Sequence, residues 1–487
     1  MCNLMRSIAL SFFLLLFSSN VVADWDVTLG GIDSEHGASV METSDGGFIV
    51  AGMTTSLGAG EADMWLVKTD MYGTAEWDKT FGGPNFDWGY DVRQTSDGGY
   101  IICGERQADR GDMDVYVVKT DSNGNTEWES IFGLAGGDAC YSIEEVQENG
   151  YILTGYTSSY GAGRRDVWLI RIDENGNMLW NNTFGGPDSD HGNSVKQTSD
   201  GGFIIGGRTT SFAANSDAWL IKTNLNGYVE WSKIYGGDLS ETCYDVQESP
   251  DGGFVFVAET FSYGEGAGDI LLAKTDRYGN VLWDKTFGDE SYNTPRSLRR
   301  TADGGFIIAG YTVSSETRDN NVLLLKTDAE GNLKWSRTFG GPDEDRGQCI
   351  RQTTDGGFII SGDTLSFGMG AWDAWLIKTD AQLTQLNLLL PADGATLSSA
   401  PTFEYLANGG EDNRFAVDIA LSPEGPFRST WEDLRRPIHE LSWTMPNPVW
   451  SLISPGQQVY WRVRAADLDS APLTPIYSEE VWSLYKE

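Results

Sequence analysis

Histidine and cysteine are scarce in this chain, and its only long apolar run lies near the N-terminus. The 487 residues include three His and five Cys, so a catalytic triad or a zinc site has few residues to draw on. No later segment approaches the run of about 18 apolar residues that a membrane-spanning helix needs. Motifs of the G-x-S-x-G, H-E-x-x-H and P-loop types are absent as well. We therefore predict no membrane insertion of the mature chain and no catalytic residues.

The first 23 residues have the pattern of a secretory signal peptide. Arg6 is the only charged side chain before an apolar run, Ile8–Phe17, and V-V-A at 21–23 follows as a small-residue cleavage site. The apolar run is too short to cross a bilayer. We predict a signal peptide over residues 1–23 and a secreted mature protein, located outside the cell, on its surface or in a periplasm.

Basic residues are outnumbered two to one by acidic residues. The chain has 71 Asp and Glu against 34 Lys and Arg, which gives a formal net charge of -37. Such a surface repels phosphate backbones, so we predict no nucleic-acid partner. The cysteines that remain after cleavage match no metal-binding spacing, and we predict that they are free and buried. They are Cys103, Cys140, Cys243 and Cys349.

One sequence unit recurs seven times and accounts for most of the chain. Its marker is a tryptophan that opens a segment such as W-D-K-T-F-G-G and returns every 51 or 52 residues. A polar loop follows, then a short alternating run, a run like D-G-G-F-I-I-A-G and a run like D-A-W-L-I-K-T. Self-similarity at a fixed period is typical of repeat architectures. The tryptophans are Trp25, Trp77, Trp128, Trp180, Trp231, Trp283 and Trp335.

Each unit predicts four β-strands, a to d, joined by tight turns. Alternating runs rich in β-branched and aromatic residues favour strands over helices. The D-G-G and D-x-x-G-N segments supply an Asp that caps a turn and a Gly that takes a positive φ. Four antiparallel strands repeated seven times indicate a seven-bladed β-propeller. In that fold we expect the marker tryptophans to be largely buried between blades.

The order of the strands predicts how the ring closes. The first d strand, Trp25–Gly31, precedes any a strand, and the last unit ends with its c strand at residues 373–380. Seven complete blades are obtained only if the N-terminal strand completes the last blade, which also hides the edge strands. The predicted fold class is therefore all-β, with a seven-bladed propeller over residues 24–382 followed by an immunoglobulin-like β-sandwich.

The repeat resembles two kinds of known propeller sequence. The pattern T-D-x-x-G-N-x-x-W, as in Thr120–Trp128, is similar to the tryptophan-docking repeat of quinoprotein-type propellers. More closely, the whole unit resembles the D-G-G-F/Y-I-I-A-G repeats of exported and cell-surface proteins of bacteria and archaea. The resemblance covers about residues 24–380, and it implies a propeller without a defined activity.

Residues 386–487 follow a different pattern. Short runs with strand character, such as R-F-A-V-D-I-A-L-S and V-Y-W-R-V-R-A-A-D, succeed one another at the spacing of a β-sandwich. The run Val459–Asp467 resembles the penultimate strand of fibronectin type III domains, and the absence of a cysteine pair fits that type. We predict a fibronectin type III-like module that spaces, packs or adheres.

The d–a and b–c loops of a four-stranded blade emerge on one face, the usual binding face of a propeller. The d–a loops of this chain carry acidic residues. Clustered carboxylates could hold calcium, whereas an Asp repeated in each blade could instead cap its own loop by accepting backbone N–H bonds. We predict no cofactor, with calcium as the alternative. The candidate calcium ligands are Asp33, Glu35, Asp87, Asp188, Asp190, Asp343 and Asp345.

Side chains on the same face also suggest a ligand site. One position near the end of the d–a loop varies amid a strict repeat, which is typical of a surface free to diversify its contacts. The b–c loops add aromatic residues that could stack on sugars or anchor a protein; these are Tyr160, Phe212, Tyr263, Phe367 and Trp372. The candidate ligand-binding residues are His36, Trp88, His191, Arg346 and Trp372.

Two hypotheses of function follow from these patterns. The first is a secreted or cell-envelope binding or scaffold protein without catalytic activity, which binds a glycan or a protein on the face made by the d–a and b–c loops. The alternative is a secreted propeller enzyme that cleaves glycans or depends on a quinone cofactor, since paired carboxylates on this face could serve glycoside cleavage.

Overall fold

The part of the chain that the computed structural model describes begins at residue 25. The predicted signal peptide, residues 1–23, lies outside the described residues. The described ranges are 25–264, 266–288, 290–313, 319–379, 385–391, 395–408, 414–420, 428–429, 442–446, 450–466, 476–477 and 482–486.

Seven four-stranded antiparallel sheets follow one another over residues 25–379 and form the blades of a β-propeller. The innermost strands, a, are β2 (Glu35–Glu42), β6 (Asp87–Gln94), β10 (Asp138–Glu145), β14 (Asp190–Gln197), β18 (Glu241–Glu248), β22 (Asn293–Arg300) and β26 (Asp345–Gln352). The b strands are β3 (Phe48–Thr54), β7 (Tyr100–Gln107), β11 (Tyr151–Thr157), β15 (Phe203–Thr209), β19 (Phe254–Thr260), β23 (Phe306–Val313) and β27 (Phe358–Thr364). The c strands are β4 (Asp63–Thr69), β8 (Met113–Thr120), β12 (Asp166–Ile172), β16 (Asp217–Thr223), β20 (Asp269–Thr275), β24 (Asn320–Thr327) and β28 (Asp373–Thr379). The outer strands, d, are β1 (Trp25–Leu29), β5 (Ala75–Phe81), β9 (Thr126–Phe132), β13 (Met178–Phe184), β17 (Val229–Tyr235), β21 (Val281–Phe287) and β25 (Leu333–Phe339).

The N-terminal strand closes the ring, as the sequence predicted. β1 pairs antiparallel with β28, from Trp25 opposite Lys378 to Leu29 opposite Ala374. The last blade therefore contains β26, β27, β28 and β1. Each innermost strand lies beside the next around the ring, including β26 beside β2. The closure is non-covalent and joins the two ends of the propeller.

The cores of the propeller lie between neighbouring blades. Every residue of β3 is buried, which explains the nearly continuous apolar pattern of the b strands. One core cluster combines Ile49, Leu66 and Phe81 of the first blade with Val92 and Tyr100 of the second. The sequence predicts that four cysteines are free and buried, and the structure confirms both properties for all four. The stability of each blade therefore depends on its two neighbours.

The marker tryptophans pack between blades, but they are not all buried to the same degree. Trp335 is 4% exposed, whereas the other six are only partly buried. Trp128 shows the reason, because strand d is the outer edge of its blade. One side of its ring packs on Tyr151 of the next blade, with 6.2 Å between ring centroids, and its Nε1 donates to the carbonyl of Glu174 at 3.0 Å. The tryptophans therefore join neighbouring blades at the rim.

Lysines of the c strands, most of them buried, hold the a–b turns, at the end of the blades away from the d–a and b–c loops. Lys68 Nζ lies 3.1 Å from the Asp45 carboxylate in the a–b turn and 3.2 Å from Glu76 on strand d. These cations belong to the scaffold, and each lies beside at least one carboxylate. Equivalent lysines paired with turn aspartates are Lys119, Lys222, Lys274, Lys326 and Lys378.

The C-terminal region contains two further sheets. A three-stranded sheet has the order β29 (Gln385–Leu390), β31 (Thr402–Asn408), β34 (Ser442–Thr444). A six-stranded sheet has the order β30 (Ala395–Leu397), β37 (Trp482–Lys486), β35 (Gln458–Ala466), β32 (Arg414–Ala420), β33 (Arg428–Ser429), and β36 (Ile476–Tyr477) also pairs with β35. Phe403 of the first sheet packs on Trp461 of the second, with 4.9 Å between ring centroids. No helix that the structure describes is long and apolar enough to span a membrane.

Candidate functional site

A β-bulge interrupts every innermost strand at the same point. In β2, for example, the pairing with β3 shifts register between Gly37 and Ser39, so Ala38 is the extra residue. A bulge turns a side chain that would otherwise follow the two-residue alternation. All seven of these residues line the centre of the ring, and we call them the bulge ring. They are Ala38, Tyr90, Tyr141, Asn193, Tyr244, Arg296 and Gln348.

Above the bulge ring lies a cavity that we call the outer chamber. Its volume is about 630 Å³, within the range of small-molecule sites. Two further positions contribute to its wall in some of the blades: the second residue of the a strand and the b-strand residue opposite to it. Examples are His191 opposite Arg208 and Thr242 opposite Glu259. The chamber lies on the face that carries the d–a and b–c loops, since His36 and its equivalents directly follow the d–a loops.

The five candidate ligand-binding residues lie around this chamber. His36, Trp88 and His191 line it directly. Trp372 stacks on His36 with 5.8 Å between ring centroids, and the Arg346 guanidinium lies 4.9 Å from the centre of the Trp372 indole. Four of the five therefore form one group where the last blade meets the first two, whereas His191 lies on the fourth blade.

The sequence analysis missed the bulge ring and the b-strand positions. Both vary between blades while their neighbours repeat, so the same signal that identified His36 and His191 could have identified them. Each b-strand residue of this set belongs to a mostly apolar run that otherwise indicates only a buried strand. The members of the set are Met53, Glu105, Tyr156, Arg208, Glu259, Tyr311 and Asp363.

Aromatic rings form a nearly continuous band around the outer chamber. From His36 the band continues through Trp88 (5.2 Å between ring centroids) to Tyr90 (5.7 Å). It then passes through Tyr141 (5.1 Å) to Tyr156 (5.8 Å) and reaches His191 (4.9 Å). On the other side, Arg296 lies 4.7 Å from the Tyr244 ring and 5.5 Å from the Tyr311 ring. The walls thus offer flat apolar surfaces with polar edges.

The carboxylates of the chamber already have donors. Glu259 accepts hydrogen bonds from Tyr292 and Thr294, and Glu105, which lies behind the lining residue Tyr90, accepts one from the Tyr90 hydroxyl at 2.7 Å. Asp363 lies 3.2 Å from His36 Nδ1 and accepts a hydrogen bond from the Gln348 amide at 2.9 Å. The hydrogen bonds of these carboxylates therefore hold neighbouring side chains of the wall in position.

The arginines of the chamber, in contrast to its carboxylates, lack oppositely charged partners among the described residues. Arg165, Arg208 and Arg296 all line it, and none of them has a carboxylate within ion-pair distance among the described residues. Arg165 lies 4.3 Å from the centre of the Tyr156 ring instead. In a chain of net charge -37, the chamber therefore exposes guanidinium groups that are free to bind an anion.

The candidate calcium ligands divide into loop caps and exposed residues. Glu35 accepts from the backbone N–H of Gly31 at 2.6 Å and from the Thr54 hydroxyl at 2.8 Å. Asp87, Asp190 and Asp345 cap their loops in the same way, each accepting from the glycine N–H four residues earlier. Asp33, Asp188 and Asp343 lie exposed on the loops. Within the described ranges, no group of three His, Cys, Asp or Glu side chains is arranged to hold a metal ion.

Most aromatic residues of the b–c loops pack on their own blades. Tyr160 lies against Trp168, Phe212 against Trp219 and Phe367 against Trp375, with ring centroids 5.2 to 5.6 Å apart. Tyr263 donates its hydroxyl hydrogen to the carbonyl of Gly236 at 2.9 Å. Trp372 differs, because it packs on His36 at the rim of the chamber.

His191 is a buried titratable side chain of the chamber wall whose pKa is strongly shifted. It is 5% exposed, and its Nε2 has no hydrogen-bond partner among the described residues. Burial, together with the positive charges of Arg208 and Arg165, lowers the pKa of His191 to about 3. The imidazole is therefore neutral at physiological pH, and Nε2 can exchange a hydrogen bond with a ligand without adding charge.

We expect His191 to make the protein less stable in mild acid. The unfolded chain binds a proton at this residue below about pH 6.5, whereas the folded protein does so only near pH 3. Stability is therefore lost as the pH falls through this window. His191→Gln should lose less stability than the wild type between pH 6.5 and 4, as measured by thermal unfolding. A histidine NMR titration of the folded protein with a His191 midpoint near 6.5 would contradict this explanation.

Comparisons with known proteins find similar structures but no sequence match that would assign the chain to a family. No protein-family model matches the chain, and no characterised protein matches its sequence. Sqt1 from Chaetomium thermophilum is similar in structure at 14% identity, with a TM-score of 0.41 over 70% of this chain and 83% of that one. Puromycin hydrolase is similar at 13% identity, with a TM-score of 0.45 over 78% of this chain and 61% of that one.

A third similar structure is the β-propeller domain of the Trilobed protease from Pyrococcus furiosus. The identity is 10% and the TM-score 0.41, over 72% of this chain and 94% of that one. None of these likenesses assigns an activity to this chain.

Proposed function

We propose that this protein is a secreted or cell-envelope binding protein without catalytic activity, and that it binds an acidic glycan in the outer chamber of its propeller. The observation that carries the proposal is the composition of one cavity wall. Aromatic rings and arginines without carboxylate partners surround a volume of about 630 Å³. The signal-peptide pattern of residues 1–23 supports export, as does the acidic composition of the chain.

The aromatic band favours a sugar over a fully apolar ligand. Pyranose rings present flat C–H surfaces that pack on indole and phenol rings, while their hydroxyls need polar partners nearby. Trp88 and Tyr90 are nearly parallel, with an interplanar angle of 15° and 5.7 Å between ring centroids, so both rings present flat surfaces of similar orientation in the chamber wall. Asn193 and Gln348 of the bulge ring supply amide donors and acceptors beside it.

The arginines favour a sugar that carries carboxylates. A guanidinium binds a carboxylate through two parallel hydrogen bonds, and such charge-assisted bonds are about twice as strong as neutral ones. Arg165, Arg208 and Arg296 approach the cavity from three different blades. A uronic-acid oligosaccharide can place acidic groups on more than one of them. A protein ligand remains the second partner class and would have to present acidic side chains.

We propose further that the chain has two domains, a propeller over residues 24–382 and a fibronectin type III-like sandwich over residues 386–487. The shared core of the two C-terminal sheets supports the second domain. Phe403, Val417, Trp461 and Leu484 are all fully buried there. The proposed role of this domain is to space the propeller from a surface or to adhere to one.

The proposal predicts selective binding of acidic oligosaccharides. Calorimetric titration of the purified full-length mature protein with oligogalacturonate or alginate oligomers should give saturable binding, and neutral cello-oligosaccharides should bind much more weakly. Trp88→Ala and Arg208→Gln should each weaken binding about tenfold or more, because each loses over about 1.4 kcal/mol of contact. Raising the salt concentration should also lower the affinity.

Phe212→Ala is the matched control. Phe212 is an exposed aromatic on the same face of the propeller, but it packs on Trp219 of its own blade. The variant should bind as the wild type does. Equal affinity for neutral and acidic oligomers, or binding that survives Trp88→Ala and Arg208→Gln, would contradict the proposal. Release of reducing ends during the titration would favour the glycan-cleaving alternative.

A further inference from the structure

A second, smaller cavity lies on the other side of the bulge ring, and we call it the inner chamber. Its volume is about 90 Å³, and all seven bulge residues line it as well as the outer chamber. The rest of its wall comes from the fifth and seventh residues of the innermost strands. Four of these side chains are cations, namely Arg93, Lys196, Arg299 and Arg351.

Three of the four cations have carboxylate partners. Arg93 lies 2.5 Å from Asp91, Arg299 is paired with Asp245, and Lys196 lies 3.1 Å from Glu144. Two of these acids have other donors as well. Asp91 accepts from the backbone N–H of Ile143 at 3.1 Å and Asp245 from that of Leu298 at 3.0 Å. These carboxylates are therefore already engaged and leave little negative charge to balance a fourth cation.

Arg351 has no such partner within the described part of the chain. Its Nη1 donates to the sulfur of Cys349 at 3.0 Å and to the carbonyl of Ile350 at 2.9 Å. Burial, with the positive charges of Arg299 and Arg93 close by, lowers the pKa of Arg351 to about 10. A partly buried cation with no carboxylate within ion-pair distance is unfavourable in a folded protein.

The lysines of the scaffold show the opposite arrangement. Lys68 is more buried than the inner-chamber cations, and it lies within 3.2 Å of two carboxylates, Asp45 and Glu76. Lys119 and Lys222 are paired with two carboxylates each as well. A chain with twice as many acids as bases thus leaves its inner chamber with an excess of positive charge, which marks that chamber as a place for an anion.

Ser297 provides an independent observation at the same place. It is the fifth residue of β22, lines the inner chamber and is 4% exposed. Its Oγ has no hydrogen-bond partner among the described residues. Buried hydroxyls are nearly always hydrogen-bonded, so this one lacks an acceptor that a bound anion would supply. Arg299 follows on the same strand, and Arg351 lies on the neighbouring innermost strand, β26.

We propose that the inner chamber binds one tetrahedral oxyanion of the phosphate or sulfate class, held by Arg351, Arg299 and the hydroxyl of Ser297. Arg93 and Lys196 complete the positive wall on the other side. The volume suits a small inorganic ion, since each water of the liquid takes up about 30 Å³. Guanidinium groups match the geometry of such an ion because they donate two parallel hydrogen bonds.

The test uses the full-length mature protein and inorganic salts. Sodium phosphate and sodium sulfate are compared with sodium chloride at equal ionic strength, by thermal unfolding and by calorimetric titration. We expect a saturable rise in melting temperature with either oxyanion and a stoichiometry of one. Arg351→Gln should weaken the oxyanion affinity at least tenfold and melt no lower than the wild type in chloride, because it removes the unpaired charge. Ser297→Ala, which removes only a hydroxyl, should weaken the affinity several-fold.

Two controls separate this site from the outer chamber and from Cys349. Arg208→Gln and Trp88→Ala alter the outer chamber and should leave the response to phosphate unchanged, whether or not a glycan binds there. A response that requires Trp88 would place the ion in the outer chamber and overturn the proposal. No response to either oxyanion in the wild type would also overturn it. If only the Cys349→Ser variant responds to the oxyanions, a Cys349 thiolate must balance the positive charge of Arg351 in the wild type. That result would also overturn the proposal.

Discussion

Deletion of residues 24–31 is expected to lower the melting temperature of the mature protein by roughly 10 °C or more, or to cause aggregation. The deletion removes β1, the outer strand of the last blade, and exposes the edge of β28. It also removes Trp25, whose ring packs on Phe48 of the first blade with 5.9 Å between centroids. Because Trp25 is only partly buried, loss of its ring should cost less than the about 3–5 kcal/mol typical of a fully buried aromatic, and loss of the strand pairing supplies the rest of the effect.

The N-terminal strand also makes a polar side-chain contact across the closure. Asp26 of β1 accepts a hydrogen bond from Trp375 Nε1 of β28 at 3.0 Å. Trp25→Ala is the matched comparison, since it keeps the backbone pairing and loses only the ring. It should melt between the wild type and the deletion variant. A deletion variant that melts with the wild type would show that closure does not depend on this strand.

The second large effect is expected for Trp335→Ala. Trp335 is the most buried of the marker tryptophans, at 4% exposure, and packs on Phe358 of the next blade. Its replacement should lower the free energy of unfolding by about 3–5 kcal/mol, the usual result for a large aromatic in a core. Thermal and denaturant unfolding followed by circular dichroism measure the change.

Trp180→Ala provides a graded control for this effect. Trp180 occupies the equivalent position but is only partly buried, so its replacement should cost less than that of Trp335. Trp372→Ala should cost least, because Trp372 lies on a b–c loop and packs mainly on His36 and Arg346. Equal losses at all three positions would contradict the idea that the rim contacts between blades set the stability.

The repeat made most of the fold predictable. A unit that returns every 51 or 52 residues determines the number of blades, and its D-G-G and D-x-x-G-N segments determine the turns. Gly124 has a φ of 75°, and Asp121 accepts the backbone N–H of Asn123 and Asn125, as that chemistry requires. Strand counting also identified the closing partner of β1. These features are local or periodic, and they are therefore visible in a linear sequence.

The candidate site was predictable only in part. His36, Trp88 and His191 stood out because they vary at one position of a strict repeat. The sequence did not distinguish Trp335, which is 4% exposed, from the other six marker tryptophans, which are only partly buried. The acidic loop residues looked like a ligand surface, yet Glu35 and its equivalents use their oxygens to cap their own loops.

What the sequence determined by itself was the repeating architecture and the face that carries the d–a and b–c loops. Only the tertiary structure decided what that face contains. A β-bulge is defined by the register of two paired strands, so no alternation in one strand reveals that Tyr90 or Arg296 turns toward the centre of the ring. The local distribution of charge also depends on the tertiary structure, because the net charge of -37 describes only the chain as a whole. The gathering of Arg93, Arg299 and Arg351 around one small chamber arises because seven distant strands meet at one axis.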